Sequence, residues 1–299
     1  MIRKISDILK EKKRTLGFEF FPPRTPKGLL KLYETAILLK DLQPDYCSVT
    51  YGAGGSTKEK TMEVVDELQK RFGLPVMHHL TCNCHTRSEI KQIAKEMQKR
   101  NICNVLALYG DLPQDKSICP KEQREIKYCY ELCRILKSYN DYFSVAVAGF
   151  PYGHVNSPDV DTDIEYLKIK LNEGGDFVIT QLFFDNEVYF DYIKRARKAH
   201  VEARIIPGIL PIVNYKKMLN FCNDCGVIVP DKVHDIFKPI SDDDEATREA
   251  GIEFAFKQCK ELLKGGASGL HFFTLNKTDP TREIICRLNA ENSEDINGK

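Results

Sequence analysis

Short apolar runs alternate with amphipathic stretches along almost the whole chain. Eight runs rich in β-branched and aromatic residues recur: Leu16 to Phe21, Asp45 to Thr50, Val76 to Thr81, Asn104 to Tyr109, Phe143 to Ala148, Phe177 to Phe183, Arg204 to Ile209 and Gly269 to Thr274. The segments between them return their apolar residues at helical spacing. The runs are nearly continuous in hydrophobicity, as expected for parallel strands covered on both faces. The pattern predicts successive βα units.

Helix starts support that reading. Ser56-Thr57-Lys58-Glu59 and Thr86-Arg87-Ser88-Glu89 both have the form of a capping box. Met62, Val65 and Leu68 follow the first, and Ile90, Ile93, Ala94 and Met97 follow the second, each as a stripe on one helix face. Eight such units suit either a closed barrel or an open doubly wound sheet. The open sheet calls for a glycine-rich turn after its first strand, but here that strand ends in Phe21-Pro22-Pro23-Arg24. The later loop Tyr51-Gly52-Ala53-Gly54-Gly55-Ser56 has neither the spacing of a dinucleotide turn nor the ending of a P-loop.

The fold expected is therefore α/β, a single (β/α)8 TIM barrel with its active site at the C-terminal ends of the strands. An N-terminal helix falls within about residues 1–15, the barrel within about 16–285 and a disordered polar tail within about 290–299. The long insertion from Pro211 to Ser268 reads as helices, with Asp242-Asp243-Asp244-Glu245 placing acidic charge at a helix N-terminus.

Composition narrows the class. The 299 residues carry 44 basic and 43 acidic side chains, so no charge bias points to nucleic acid or a membrane surface. The start of the chain lacks the apolar core of a signal peptide, and no run is long enough to span a bilayer, which predicts a cytoplasmic protein. The 11 cysteines are odd in number, and Cys47 and Cys103 lie in apolar runs, so most are expected to be reduced and buried. Cys82-Asn83-Cys84 and Cys222-Asn223-Asp224-Cys225 have no matching second pair, and no metal is expected from them.

Polar residues at strand ends are the candidates for chemistry. Glu19 stands within Phe18-Glu19-Phe20-Phe21, and an aromatic shell would raise its pKa by desolvation. Work as a general acid needs a shift from roughly 4.3 towards about 6 or 7. Thr50 and Tyr51 close the second run, His79 the third, Gly110 and Asp111 the fourth, and Thr180 and Gln181 the sixth. Alternation sends His78 outward if His79 faces the site.

Seven short motifs, in order, then resemble one family. They are Gly17-Phe18-Glu19-Phe20-Phe21-Pro22-Pro23, Ser48-Val49-Thr50-Tyr51-Gly52-Ala53, His79-Leu80-Thr81-Cys82, Gly110-Asp111-Leu112-Pro113, Ile179-Thr180-Gln181, Ile206-Pro207-Gly208-Ile209-Leu210-Pro211 and Phe273-Thr274-Leu275-Asn276. Together they resemble the methylenetetrahydrofolate reductases, of the bacterial type without the C-terminal regulatory domain. The resemblance implies bound FAD at the barrel mouth and reduction of 5,10-methylenetetrahydrofolate to 5-methyltetrahydrofolate by a ping-pong mechanism. It implies Glu19 as general acid and Asp111 as the carboxylate that tunes the flavin and an iminium intermediate. Gln181, Tyr215 and Lys277 would meet substrate, with Tyr215 sheltering ligands at the open flavin face. Thr50, His79, Tyr109, Gly110, Asp111, Tyr128, His154, Asp163, Lys168 and Lys170 would hold the cofactor, the lysines at its diphosphate.

Two positions depart from the family pattern. Tyr109 and Lys277 stand where arginine is common, which removes forked donors towards flavin and folate. The implied donor is NADH or NADPH, with a partner electron-transfer subunit as the alternative and a homo-oligomer or hetero-complex as the assembly. A non-catalytic folate-binding or scaffolding barrel is the reading from another class, and the retained Glu19, Asp111 and Gln181 argue against it.

Overall fold

All eight apolar runs form strands. In the computed structural model, which describes residues 2–52, 58–111 and 125–297, they are β1 (Thr15–Phe20), β2 (Tyr46–Val49), β3 (Val76–Thr81), β4 (Asn104–Leu108), β5 (Ser144–Gly149), β6 (Phe177–Leu182), β7 (Ile205–Ile209) and β8 (Gly269–Phe273). Every neighbouring pair is parallel, and β8 returns to β1 to close the barrel. Helices α2 (Pro26–Lys40), α3 (Lys58–Phe72), α4 (Arg87–Lys99), α5 (Cys129–Lys137), α6 (Val160–Asn172) and α7 (Asn186–Lys198) follow the first six strands in turn.

The capping box at Thr86 is formed: its hydroxyl accepts from the Glu89 amide at 3.1 Å, and the Glu89 carboxylate accepts from the Thr86 amide at 2.7 Å. The box expected at Ser56 lies outside the described residues. Three helices fill the insertion between β7 and β8: α8 (Tyr215–Cys225), α9 (Asp231–Phe237) and α10 (Asp244–Lys264). Asp243 caps α10 by accepting from the amides of Glu245 and Ala246. The last helix, α11, runs Asp279–Asn297, so most of the tail expected to be irregular continues as helix instead.

Strand alternation divides the apolar residues between two cores. Phe18, Phe20, Val49, Leu80, Val105, Val147 and Val178 face outward and pack under the helices. Tyr46, Met77, Leu106, Phe177, Ile179 and Ile206 fill the barrel itself. The N-terminal end of that interior is closed by α1 (Ile5–Glu11), whose Ile5 and Leu9 join the inner core. Side chains at strand starts satisfy the first amides of α1: Asn104 Oδ1 accepts from Ile5 at 2.7 Å and Ser144 Oγ from Ser6 at 3.0 Å.

One glycine shapes the interior below the site. Gly17 is in register with Tyr46 on one side and His271 on the other. A Cβ at Gly17 would meet the Tyr46 ring at 2.4 Å, so only glycine lets that ring lie across β1. Tyr46 and His271 thereby stack, with ring centroids 5.7 Å apart and an interplanar angle of 10°.

Cys47 and Cys103 are buried and free. Cys222 is also buried and free, and packs on Met218 with sulfur atoms 3.5 Å apart. Among the described residues no helix is long and apolar enough to cross a membrane.

Candidate active site

Glu19 faces the inside of the barrel near the C-terminal end of β1, one layer above the Tyr46–His271 stack. Three groups converge on a single oxygen. Ser48 Oγ donates to Oε2 at 3.3 Å, His271 Nε2 makes a hydrogen bond to it at 3.3 Å, and His79 Nε2 lies 3.3 Å away. The His79 contact lacks hydrogen-bond geometry, so it acts through charge and proximity.

This environment overturns the expected aromatic shell. Phe18 and Phe20 flank Glu19 in sequence, but alternation points them to the outer core. Burial does press the Glu19 carboxyl upward, yet attraction to His79 and the hydrogen bond from His271 outweigh it and hold the group down at about 2. The expected rise towards neutrality is absent, because polar neighbours and not phenyl rings surround the carboxylate.

His79 and His78 divide as alternation requires. His78 is buried on the outer face against Tyr51, with ring centroids 5.6 Å apart, and burial followed by the neighbouring His79 pushes it down to about 3. Thr50 follows β2 and links β1 to α3: its amide donates to Phe20 O at 2.9 Å and its carbonyl accepts from Thr61 at 3.0 Å.

Beyond β4 the chain turns on Gly110, at φ +90, where a Cβ would meet the Thr81 side chain at 2.6 Å. Asn83 pins this turn, donating from Nδ2 to the carbonyls of Gly110 at 2.7 Å and Asp111 at 2.8 Å. The Asp111 side chain is left exposed beside Tyr109 and Gly110 at the mouth. Leu112 and Pro113 of the same motif lie outside the described residues.

A second polar group gathers after β5. Asp163, on α6, is buried, and Ser157 Oγ donates to its Oδ1 at 3.2 Å. Burial raises the Asp163 carboxyl, against the opposing pull of Lys170, Ser157 and His154. Lys170 Nζ donates to Ala148 O at 2.7 Å and sits 5.7 Å from the Phe150 ring centroid. His154 packs edge-on to the same ring at 4.7 Å. Lys168 is half-buried on α6, and Tyr128, at the start of α5, is 58% exposed and stacks on Tyr130.

The three expected substrate residues differ in setting. Gln181 is half-buried at the end of β6; its Oε1 accepts from the Leu182 amide at 2.9 Å, while its amide nitrogen makes no hydrogen bond among the described residues. Lys277 is exposed after Leu275 and Asn276, which both take left-handed backbone. Tyr215 is only 6% exposed, with its hydroxyl 2.6 Å from His234 Nδ1 and its ring stacked on Phe237. It packs among the insertion helices.

Sequence reading missed His271, Ser48 and Asn276. His271 and Ser48 are polar residues inside apolar runs, and the β1–β2 register that sets Ser48 opposite Glu19 is not encoded within either run. Asn276 extends the β1–β8 seam: its side chain donates to Phe21 O at 2.8 Å and accepts from Phe21 N at 3.0 Å.

Comparison with known proteins gives a consistent picture. The family described as methylenetetrahydrofolate reductase matches residues 4–289. The chain is 34% identical over 298 residues to methylenetetrahydrofolate reductase (NADH) 1 of Arabidopsis thaliana, covering 96% of this chain and 50% of that protein. The chain thus spans about half the length of such plant and yeast relatives. It is also 34% identical over 273 residues to 5,10-methylenetetrahydrofolate reductase of Salmonella typhimurium, covering 91% of this chain and 90% of that one. A solved Clostridium thermocellum protein, described as uncharacterized and as binding two copies of 5-methyl-5,6,7,8-tetrahydrofolic acid, shares the fold. Its TM-score is 0.68 at 13% identity, covering 94% of this chain and 96% of that one. On the match across residues 4–289 and the near-complete coverage of the Salmonella enzyme, this chain belongs to the methylenetetrahydrofolate reductase family.

Proposed function

We propose that this protein reduces 5,10-methylenetetrahydrofolate to 5-methyltetrahydrofolate with FAD as its cofactor and a nicotinamide dinucleotide as donor. The observation that carries the proposal is Glu19, a carboxylate at the C-terminal end of β1 with one oxygen held and the side chain still 15% exposed. The name of the Arabidopsis relative specifies NADH, which favours direct reduction by a dinucleotide over electrons from a partner protein.

The residues present fit a flavin dinucleotide. Asp163 Oδ2, His79 Nε2 and Thr81 Oγ1 are buried without a hydrogen-bond partner among the described residues, an arrangement that a polar ligand would complete. Asp163 would accept from a sugar hydroxyl, and Lys170, Lys168 and His154 would face the diphosphate. Thr50, Tyr109, Gly110 and Tyr128 would line the rest of the cofactor site. FAD, when bound, supplies the hydride.

The chain's own residues supply the proton and the charge. Bound folate expels water, and the added desolvation pushes the Glu19 carboxyl upward and favours its protonated form. Glu19 then protonates the amine nitrogen that leaves the bridging methylene. That carbon–nitrogen bond breaks, its electron pair stays on the departing nitrogen, and the methylene remains on the other nitrogen as an iminium cation. Asp111 lends a negative charge to that cation, and Gln181 offers its free amide donor to the pterin edge.

The test is an anaerobic titration of the purified protein. Visible flavin absorbance should bleach with NADH or NADPH and return with methylenetetrahydrofolate. A colourless protein, or a bleached one that folate leaves unchanged, would sink the proposal.

A further inference from the structure

The contacts at Glu19 are lopsided. Ser48, His79 and His271 all approach Oε2, and no hydrogen bond of Glu19 among the described residues uses Oε1. The three neighbours are not equivalent. The Ser48 hydroxyl rotates and can face either form of the carboxyl. His79 lies at contact distance without hydrogen-bond geometry. Only His271 combines a directed bond with a ring that cannot turn, since it is fully buried, stacked on Tyr46 and edge-on to Phe273 at 5.6 Å.

We propose that His271 is a positioning residue for Glu19: held over Gly17 by Tyr46, it gives its Nε2 hydrogen to Oε2 and so makes Oε1 the atom that carries and delivers the proton. The inference rests on the reading of Glu19 as the acid. Its physical basis is hydrogen-bond polarity. His271 Nδ1 has no partner among the described residues, so the ring hydrogen belongs on Nε2, where it has an acceptor. A proton placed on Oε2 would face that N–H donor, lose the bond and leave a buried donor unpaired. A proton on Oε1 keeps the bond intact. Tyr46 completes the clamp, and its own position depends on the missing side chain at Gly17.

The titratable groups facing Glu19 are His79 from β3 and His271 from β8, with Tyr46 of β2 behind His271. Both histidines lower the Glu19 carboxyl, so deleting the His271 donor moves it upward. A merely structural role would not shift a kinetic pH limb in this way.

The experiment compares His271→Phe, which keeps a stacking ring without a donor, and His271→Gln, whose amide hydrogen takes the place of Nε2–H. Each is measured as flavin-loaded enzyme in the two half-reactions across pH, together with Glu19→Gln and the double variant. For His271→Phe we expect unchanged flavin reduction, folate reduction slowed about ten- to a hundredfold, and the alkaline limb moved to higher pH. His271→Gln should recover most of the rate, and the double variant should be no slower than Glu19→Gln alone. Should His271→Phe lose its flavin, His271→Asn, with a shorter amide reach, takes its place under the same expectations.

Folate reduction and pH limb both at wild-type values in the donor-less variant would overturn the inference, as would additive losses in the double variant. If Glu19→Gln itself leaves folate reduction intact, the reading of Glu19 as the acid fails. If Glu19→Gln is slow and His271→Phe is not, only the positioning role fails.

Discussion

The hydroxyl of Tyr215 and Nδ1 of His234 stand 2.6 Å apart, joining the first turn of α8 to α9 within the apolar cluster of the insertion. The bond ties together two helices with no strand between them. Tyr215→Phe should therefore cost about 0.5–1.5 kcal/mol of unfolding free energy, and His234→Leu about 1–3 kcal/mol because it leaves the phenol unpaired. Urea unfolding measures both. Wild-type midpoints in the two variants would show that the contact contributes nothing.

Glu19→Gln keeps the shape of the side chain and removes the transferable proton. We expect full flavin content, normal reduction by the donor, and loss of folate reduction by at least about a hundredfold, the scale of general-acid catalysis. Stopped-flow absorbance separates the two half-reactions. Folate reduction at the wild-type rate would make Glu19 structural.

Acid stability reports the same carboxylate without any ligand. Its folded pKa, about 2, lies below its ordinary value of 4.5. A depressed carboxyl contributes stability that is present above about 4.5 and is lost as pH falls towards about 2. Between those values the unfolded chain binds the extra proton and unfolding is drawn forward. Glu19→Gln should flatten the stability-versus-pH slope in that window and leave the slope above it unchanged. Equal slopes for the two proteins would count against the charge pairing with His79.

Asp163 carries the opposite sign. Burial raises its carboxyl, so its charged form opposes folding at neutral pH. In the flavin-free protein Asp163→Asn should raise the melting temperature at neutral pH. It should also weaken flavin binding, measured by dialysis against graded FAD, because a donor–acceptor amide replaces a pure acceptor. Lower thermal stability together with unchanged flavin affinity would place Asp163 in the scaffold alone.

What sequence could reveal depended on the length scale of each signal. The strands were legible because each is a continuous run, and the Thr86 cap because its partners lie three residues apart. The same continuity concealed which face each residue takes. Reading Phe18-Glu19-Phe20 as a neighbourhood put aromatic rings around a carboxylate whose real neighbours are Ser48, His79 and His271, up to 252 positions away. The His271 contact follows from barrel closure, which pairs β1 with β8, and those of Ser48 and His79 from the register of β1, β2 and β3; no local pattern encodes either. The setting of Tyr215 was hidden for a related reason: its burial is set by α9, whose His234 looks in sequence like any surface residue of a short helix.

Helix α1 closes the N-terminal end of the barrel, and Tyr46, Met77, Leu106, Phe177 and Ile206 fill the space above it. Among the described residues this end is a floor, and the C-terminal mouth is the door. Whatever reaches Glu19 enters by the mouth, and whatever is made there leaves the same way. In the proposed reaction a reductant and a folate would share that entrance, which would favour alternation over simultaneous occupancy. The order of chemical events would then be written partly by a seven-residue helix at the far end of the molecule.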